Sequence, residues 1–194
     1  MTRACLTTLA LVLVAGCGYQ LGGTPSDKIP KSAQTVTIKL FSNHTKERGL
    51  EVRLRRALED EFRRRSPLRV VPDPQGDLVL SGVIRRFAST PVAFSGTDEA
   101  VQYQGVLQVS LTLTERETGH VIYQNPLLQE TQDFGAQRNV VITSSPHFQR
   151  GPVDRRDLEN LTNVQLGETR RREALDDLVD RLAGDVYLQA VEGF

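Results

Sequence analysis

The stretch Gln104-Gly105-Val106-Leu107-Gln108-Val109-Ser110-Leu111-Thr112-Leu113-Thr114-Glu115-Arg116 carries the most regular alternation in the chain. Successive side chains of a strand point to opposite faces, so Leu107, Val109, Leu111 and Leu113 share one side, and Gln108, Ser110, Thr112 and Thr114 share the other. One face packs and the other is wet, as in an antiparallel sheet covered on one side. Glu117-Thr118-Gly119 then reads as a turn. Val121 to Thr131 reads as a further strand, in which Pro126, having no N–H, demands an edge or a bulge.

Upstream, Asp77 to Phe87 is a strand whose Leu78, Leu80 and Ile84 oppose Val79 and Val83, so both faces are at least partly covered. Pro91 to Gly105, with Ser95-Gly96-Thr97, reads as a long hairpin connection between these strands. Thr35 to Phe41 alternates Val36, Ile38 and Leu40 with Thr37 and Lys39 and forms the first strand. Asn43 and Thr45 are placed to accept free N–H groups at a helix start, and Leu50, Leu54, Leu58 and Phe62 make one helical stripe. Ser66-Pro67 ends that helix, and a short strand follows at about Leu68 to Val71.

Downstream, the pattern fails from Gln132 to about Gly167. Gly135, Ser144-Ser145-Pro146 and Gly151-Pro152 suggest an irregular insertion, with Leu158 and Leu161 on a helical turn inside it. Glu168 to Val191 then sets Leu175, Leu178, Leu182, Val186 and Ala190 on one stripe, flanked by Ala174, Val179 and Tyr187, as a long amphipathic helix. Each element has one apolar side. The economical arrangement is an α+β two-layer sandwich, with two α-helices on a four- to five-stranded, mainly antiparallel or mixed sheet.

At the N-terminus, Arg3 precedes an apolar run from Ala4 to Val14, about half the roughly twenty residues a membrane-spanning helix needs. The run closes on Val14-Ala15-Gly16-Cys17, small residues before the one side chain able to take a diacylglyceryl group. Residues 1–16 are therefore expected to be a lipoprotein signal peptide cut before Cys17. Residues 17–33, with Gly22-Gly23, Pro25 and Pro30, form a lipidated tether. A single domain follows over 34–194, interrupted by the insertion at about 132–167. Diacylglycerol and an N-acyl chain on Cys17 would anchor the protein durably, because each buried methylene contributes about 0.8 kcal/mol. Cys5 is lost with the signal peptide, so the mature chain cannot form an internal disulfide. Gly18, where an Asp commonly retains lipoproteins in the inner membrane, favours the outer membrane.

The composition, 39% hydrophobic and 25% charged with a formal net charge of zero, gives no general affinity for nucleic acid. All but four of the 24 basic residues are Arg, which reflects either a GC-rich genome or recognition of phosphate and carboxylate. His44, His120 and His147 share no ligand spacing, and the mature thiol is assigned to lipid, so neither a metal site nor a Cys-His nucleophile is expected. No glycine-rich phosphate loop is present. Glu59-Asp60-Glu61 and Asp176-Asp177 lie adjacent on helices, where neighbours diverge around the axis and usually mark a solvated face.

Three segments together resemble the lipopolysaccharide-assembly lipoproteins of the LptE family. They are Cys17-Gly18-Tyr19-Gln20-Leu21-Gly22-Gly23, Val36 to Thr45 with its Leu-spaced helix, and Asp77-Leu78-Val79-Leu80-Ser81-Gly82-Val83-Ile84. The resemblance implies a non-enzymatic protein without a cofactor beyond its lipid. It implies two helices on a four-stranded sheet, seated inside the outer-membrane β-barrel LptD as plug and assembly partner while lipopolysaccharide reaches the cell surface. The insertion at 132–167 departs from the family's compact form. The polar face of Gln108, Ser110, Thr112 and Thr114 suits a wet barrel lumen, and it equally suits a sheet exposed to the periplasm. Arg85 and Arg86, expected at a strand end where a loop presents them, are the candidates for the phosphates of lipopolysaccharide, because a guanidinium pairs oxygens bidentately. Arg63-Arg64-Arg65 has a plainer account in the dipole at the end of the first helix. The competing function is another periplasm-facing lipoprotein, either a peptidoglycan-binding or a secretion-pore accessory module.

Overall fold

The computed structural model describes residues 29–96, 100–135 and 155–193, with 155–166 described by backbone alone. In chain order the elements are β1 (Thr35–Ile38), β2 (Ser42–Asn43), α1 (Leu50–Arg65), β3 (Arg69–Val70), β4 (Leu78–Phe94), β5 (Ala100–Glu115), β6 (Val121–Gly135) and α2 (Arg155–Tyr187), which passes into a π-helical turn, Leu188–Glu192. The sheet order is β3-β1-β4-β5-β6, with β2 also alongside β4. The pairings of β1 with β3, β1 with β4 and β2 with β4 are parallel, whereas β4, β5 and β6 form an antiparallel meander. The fold is the expected α+β, two helices with an open mixed sheet.

The alternation of the quoted strand is realised in full. Leu107, Val109, Leu111 and Leu113 are buried beneath the helices, and Gln108, Ser110, Thr112 and Thr114 are partly exposed on the other face. Leu50, Leu54, Leu58 and Phe62 of α1 are fully buried, and Leu175, Leu178, Leu182 and Val186 of α2, with Ala190 of the π-helical turn, are almost so. At about 1.5–3 kcal/mol for each large apolar side chain removed from water, these two stripes and the sheet face supply the main driving force for folding. Phe62 meets Tyr187 edge to face at 5.4 Å, and the Tyr187 hydroxyl donates to the Arg65 carbonyl at 2.9 Å. Arg53 pairs with Asp176 at 3.0 Å near the other end of α1, so the two helices run in the same direction.

Several boundaries differ from the sequence expectation. The expected strand to Phe41 breaks at Ile38, and the short β2 takes over. Asn43 and Thr45 do not cap α1. Asn43 Oδ1 accepts from Thr45 N at 2.9 Å, so the pair closes the preceding loop, while the helix starts behind Gly49 at φ +79° without a side-chain cap. The Asn43 amide instead donates to Glu51 Oε2 at 2.7 Å. Glu51's own backbone N–H and then Asn43 hold this carboxyl below its usual range, as expected of an anion at a helix N-terminus.

The connection expected over Pro91 to Gly105 is largely strand. Ser89, Thr90, Gln102 and Gln104 give no apolar alternation there, and the ladder between β4 and β5 carries the pairing forward to Phe94 and Ala100. Within the span expected to be an irregular insertion, Gln132 to Gly135 complete β6 and α2 begins at Arg155. Pro126 sits where expected, on the edge strand β6 at a register shift. Asn125 Oδ1 accepts from Leu127 N there at 2.9 Å.

Ile29, within the segment expected to be a tether, is buried in the core. Asp77 fastens the chain entry. Its Oδ2 accepts from Gln34 N at 2.9 Å, Thr35 N at 3.0 Å and Thr35 Oγ1 at 2.8 Å. These donors, the Gln34 N–H first, lower the Asp77 pKa.

Candidate functional site: the polar face of the meander

The strand register assembles one polar surface from β4, β5 and β6. Across it run the rows Ser81, Thr112, Gln124 and Arg86, Gln108, Gln129, with Thr90, Gln104, Asp133 further along. Gln108 Nε2 donates to Gln129 Oε1 at 2.7 Å, and Gln104 Nε2 donates to Asp133 Oδ1 at 3.1 Å. These cross-strand pairs hold the side chains flat on the sheet. Apart from Arg86 and Asp133, the residues of these rows are uncharged.

Arg85 and Arg86 lie within β4 and not at a strand end, because β4 runs on to Phe94. The register shifts between Ile84 and Arg86, making Arg85 the extra residue of a bulge, while Arg86 stands opposite Gln108. Both are exposed, and neither has an ion-pair partner among the described residues. The bulge brings two consecutive side chains toward solvent where a regular strand would separate them.

The other basic cluster is engaged. Arg63 pairs with Glu59 at 3.2 Å and Asp60 at 3.4 Å, Arg65 reaches Glu61 at 2.8 Å, and Arg64 also contacts Glu61. Glu61 is only 8% exposed, so this part of Glu59-Asp60-Glu61 is not the solvated face expected from sequence. Arg65 also lies over the Tyr187 ring at 5.3 Å. The cluster thus pins the end of α1 to α2.

Sequence reasoning missed a carboxylate pair between the sheet and α2. Glu130 faces Asp185, and burial, then hydrogen bonding to Asp185 and its negative charge, push the Glu130 pKa up to about 7, while Arg181 opposes the shift. The residues are far apart in the chain, and no periodicity links them. His44 adjoins β2, and His120 adjoins the turn after β5. His147 and Cys17 lie outside the described residues.

The family model LptE, described as lipopolysaccharide-assembly, matches residues 33–190. The chain belongs to the LptE family. The match takes in both helices and the whole sheet. LptE proteins are lipoproteins of the Gram-negative outer membrane and carry no cofactor, and among the described residues no cluster could hold a metal ion.

Solved structures similar to this LptE-family chain include three bacterial proteins. A Xanthomonas campestris protein is 10% identical over 85% of this chain and 89% of that one, with a TM-score of 0.48. Lipoprotein B of Nitrosomonas europaea is 12% identical over 88% and 91%, with a TM-score of 0.46. A minor lipoprotein of Acinetobacter baumannii is 14% identical over 84% and 96%, with a TM-score of 0.43. Among curated proteins, none matches the sequence.

Proposed function

We propose that this protein is an outer-membrane lipoprotein, cleaved before Cys17 and anchored there by diacylglycerol and an N-acyl chain. It assembles with an LptD-like β-barrel as plug and assembly factor, and the pair delivers lipopolysaccharide to the outer leaflet. The observation that carries this reading is the family match over residues 33–190. Two features of the fold support it. The polar meander face suits the wet lumen of a large barrel. The 17 residues of β4, at about 3.3 Å each, extend roughly 55 Å, longer than the hydrocarbon core of about 30 Å. Such a hairpin is long enough to follow a barrel wall across the membrane. Arg85 and Arg86 are the assigned contacts for lipopolysaccharide phosphates.

The deciding experiment is co-purification of the lipidated chain with the LptD barrel of the same genome. A stable one-to-one complex is expected. Sedimentation with purified cell wall and no barrel complex would replace this reading with a peptidoglycan-binding module. For the anchor, Cys17→Ser should yield an uncleaved or soluble product without acyl mass, and a normally lipidated mass would overturn the assignment.

A further inference from the structure

The loop that joins β2 to α1 runs along the edge of β4 and is fastened beside it at two points. His44 N donates to the Ile84 carbonyl at 3.0 Å, one residue before the Arg85 bulge. Further along the loop, Glu47 pairs with Arg171, whose guanidinium lies 5.3 Å from the centre of the Phe87 ring, one residue past Arg86. The two fastenings bracket Arg85 and Arg86. Among the described residues no strand pairs with β4 on that side beyond Ile84, so the edge is left to this loop.

Within the loop, the Asn43 side chain sets the shape. Its Oδ1 accepts from Thr45 N at 2.9 Å and from Thr45 Oγ1 at 2.8 Å, and its amide donates to the Glu47 carbonyl and to Glu51 Oε2, each at 2.7 Å. Thr45 Oγ1 in turn accepts from Glu47 N at 3.1 Å. Both carboxylates of the segment are thereby engaged, Glu47 by Arg171 and Glu51 by Asn43. Lys46 and Arg48, on either side of Glu47, are exposed and have no ion-pair partner among the described residues. With Arg85 and Arg86 they gather four exposed cations on a loop and a bulge that are already shaped. Like charges repel, and an anion bound among them relieves the repulsion with little ordering left to do. A phosphate monoester carries about −1.5 to −2 charge, so four cations balance two phosphates better than one.

We propose that Lys46 and Arg48 form the second arm of one phosphate site with Arg85 and Arg86, and that the site takes a lipid-borne ligand bearing two phosphate groups. This rests on the reading of Arg85 and Arg86 as lipopolysaccharide contacts and adds to it a loop that touches neither the polar rows of β5 and β6 nor the hairpin tip. The lipidated mature chain in detergent is titrated at low salt with purified lipopolysaccharide, with the same material stripped of its phosphates, and with inorganic diphosphate. Lys46→Gln combined with Arg48→Gln, at two exposed positions, should weaken binding of intact lipopolysaccharide about tenfold with an unchanged urea midpoint, and should leave affinity for the stripped form as in the wild type. Wild-type affinity in the variant, or an equal loss toward the stripped form, overturns the proposal. Diphosphate binding as tightly as lipopolysaccharide overturns the lipid-borne source. A variant that binds lipopolysaccharide normally but loses the barrel complex gives the loop to the barrel instead. The barrel complex of the wild type is read separately: its absence overturns the proposed function, while the phosphate-dependent tenfold difference still decides this site.

Discussion

Gly82 shows how a single residue sets the spacing of this sheet. A Cβ there would lie 2.3 Å from the Ser110 carbonyl oxygen and 2.5 Å from Phe41 Cε1. The first neighbour is backbone of the adjoining strand and cannot move without breaking the ladder. The second is the ring that seals the core where β1 gives way to β2, and Phe41 is only 2% exposed. Gly82→Ala should therefore destabilise the protein by about 1–3 kcal/mol, read as a lower urea midpoint with an unchanged slope. An unchanged midpoint would contradict this account of the packing. A glycine inside a strand ordinarily weakens it. The need for zero side-chain volume at Gly82 comes from Phe41, which only the fold brings over it.

At the scale of elements, the seam between α2 and β6 joins a helix to an edge strand by polar contacts spaced four residues apart. Arg181 donates to the Thr131 carbonyl at 3.1 Å, Asp185 faces Glu130, and Gln189 accepts from the Tyr123 hydroxyl at 2.6 Å. Arg181 thereby covers part of the edge that β6 leaves open. The Glu130 carboxyl keeps its proton in the folded state up to about pH 7, whereas the unfolded chain releases it near the ordinary 4.5. Between these values the native state binds more protons, so its stability falls as pH rises across the window. Glu130→Gln retains a hydrogen-bond donor without a proton to lose. Unfolding measured from pH 4 to pH 8 should show the variant gaining on the wild type through that interval, and parallel profiles would remove Glu130 as the titrating group. The sequence marked the apolar stripe of α2 correctly, from Leu175 to Ala190. It left this second, polar stripe unread because its meaning depends on which strand lies alongside.

At the scale of the molecule, the meander places Arg85 and Arg86 on one surface with the polar rows of β5 and β6. Exposed and without ion-pair partners among the described residues, they differ from Arg63, whose charge is engaged by Glu59 and Asp60. Replacing both Arg85 and Arg86 with Ala should weaken lipopolysaccharide binding roughly tenfold or more at low salt, with a smaller loss at high salt where screening already reduces the pairing. Replacing Arg63 should change binding little. Unchanged affinity of the double variant at low salt would remove the pair from the site.

The sequence by itself determined the strands and helices that carry strong periodicity. The quoted alternation, the Leu50 to Phe62 stripe and the Leu175 to Ala190 stripe needed no tertiary information, because burial on one face imposes a period that the residues must obey. Pro126 was legible for the same local reason, the missing N–H. Tertiary structure alone decided the extension of β4 and β5 into a polar hairpin, where pairing with a neighbour replaces apolar patterning as the cause of extended backbone. It also moved Arg85 and Arg86 from an expected strand end to a bulge inside β4 and set Glu130 beside Asp185. These depend on contacts between residues distant in sequence, and periodicity along one segment does not record what stands opposite it.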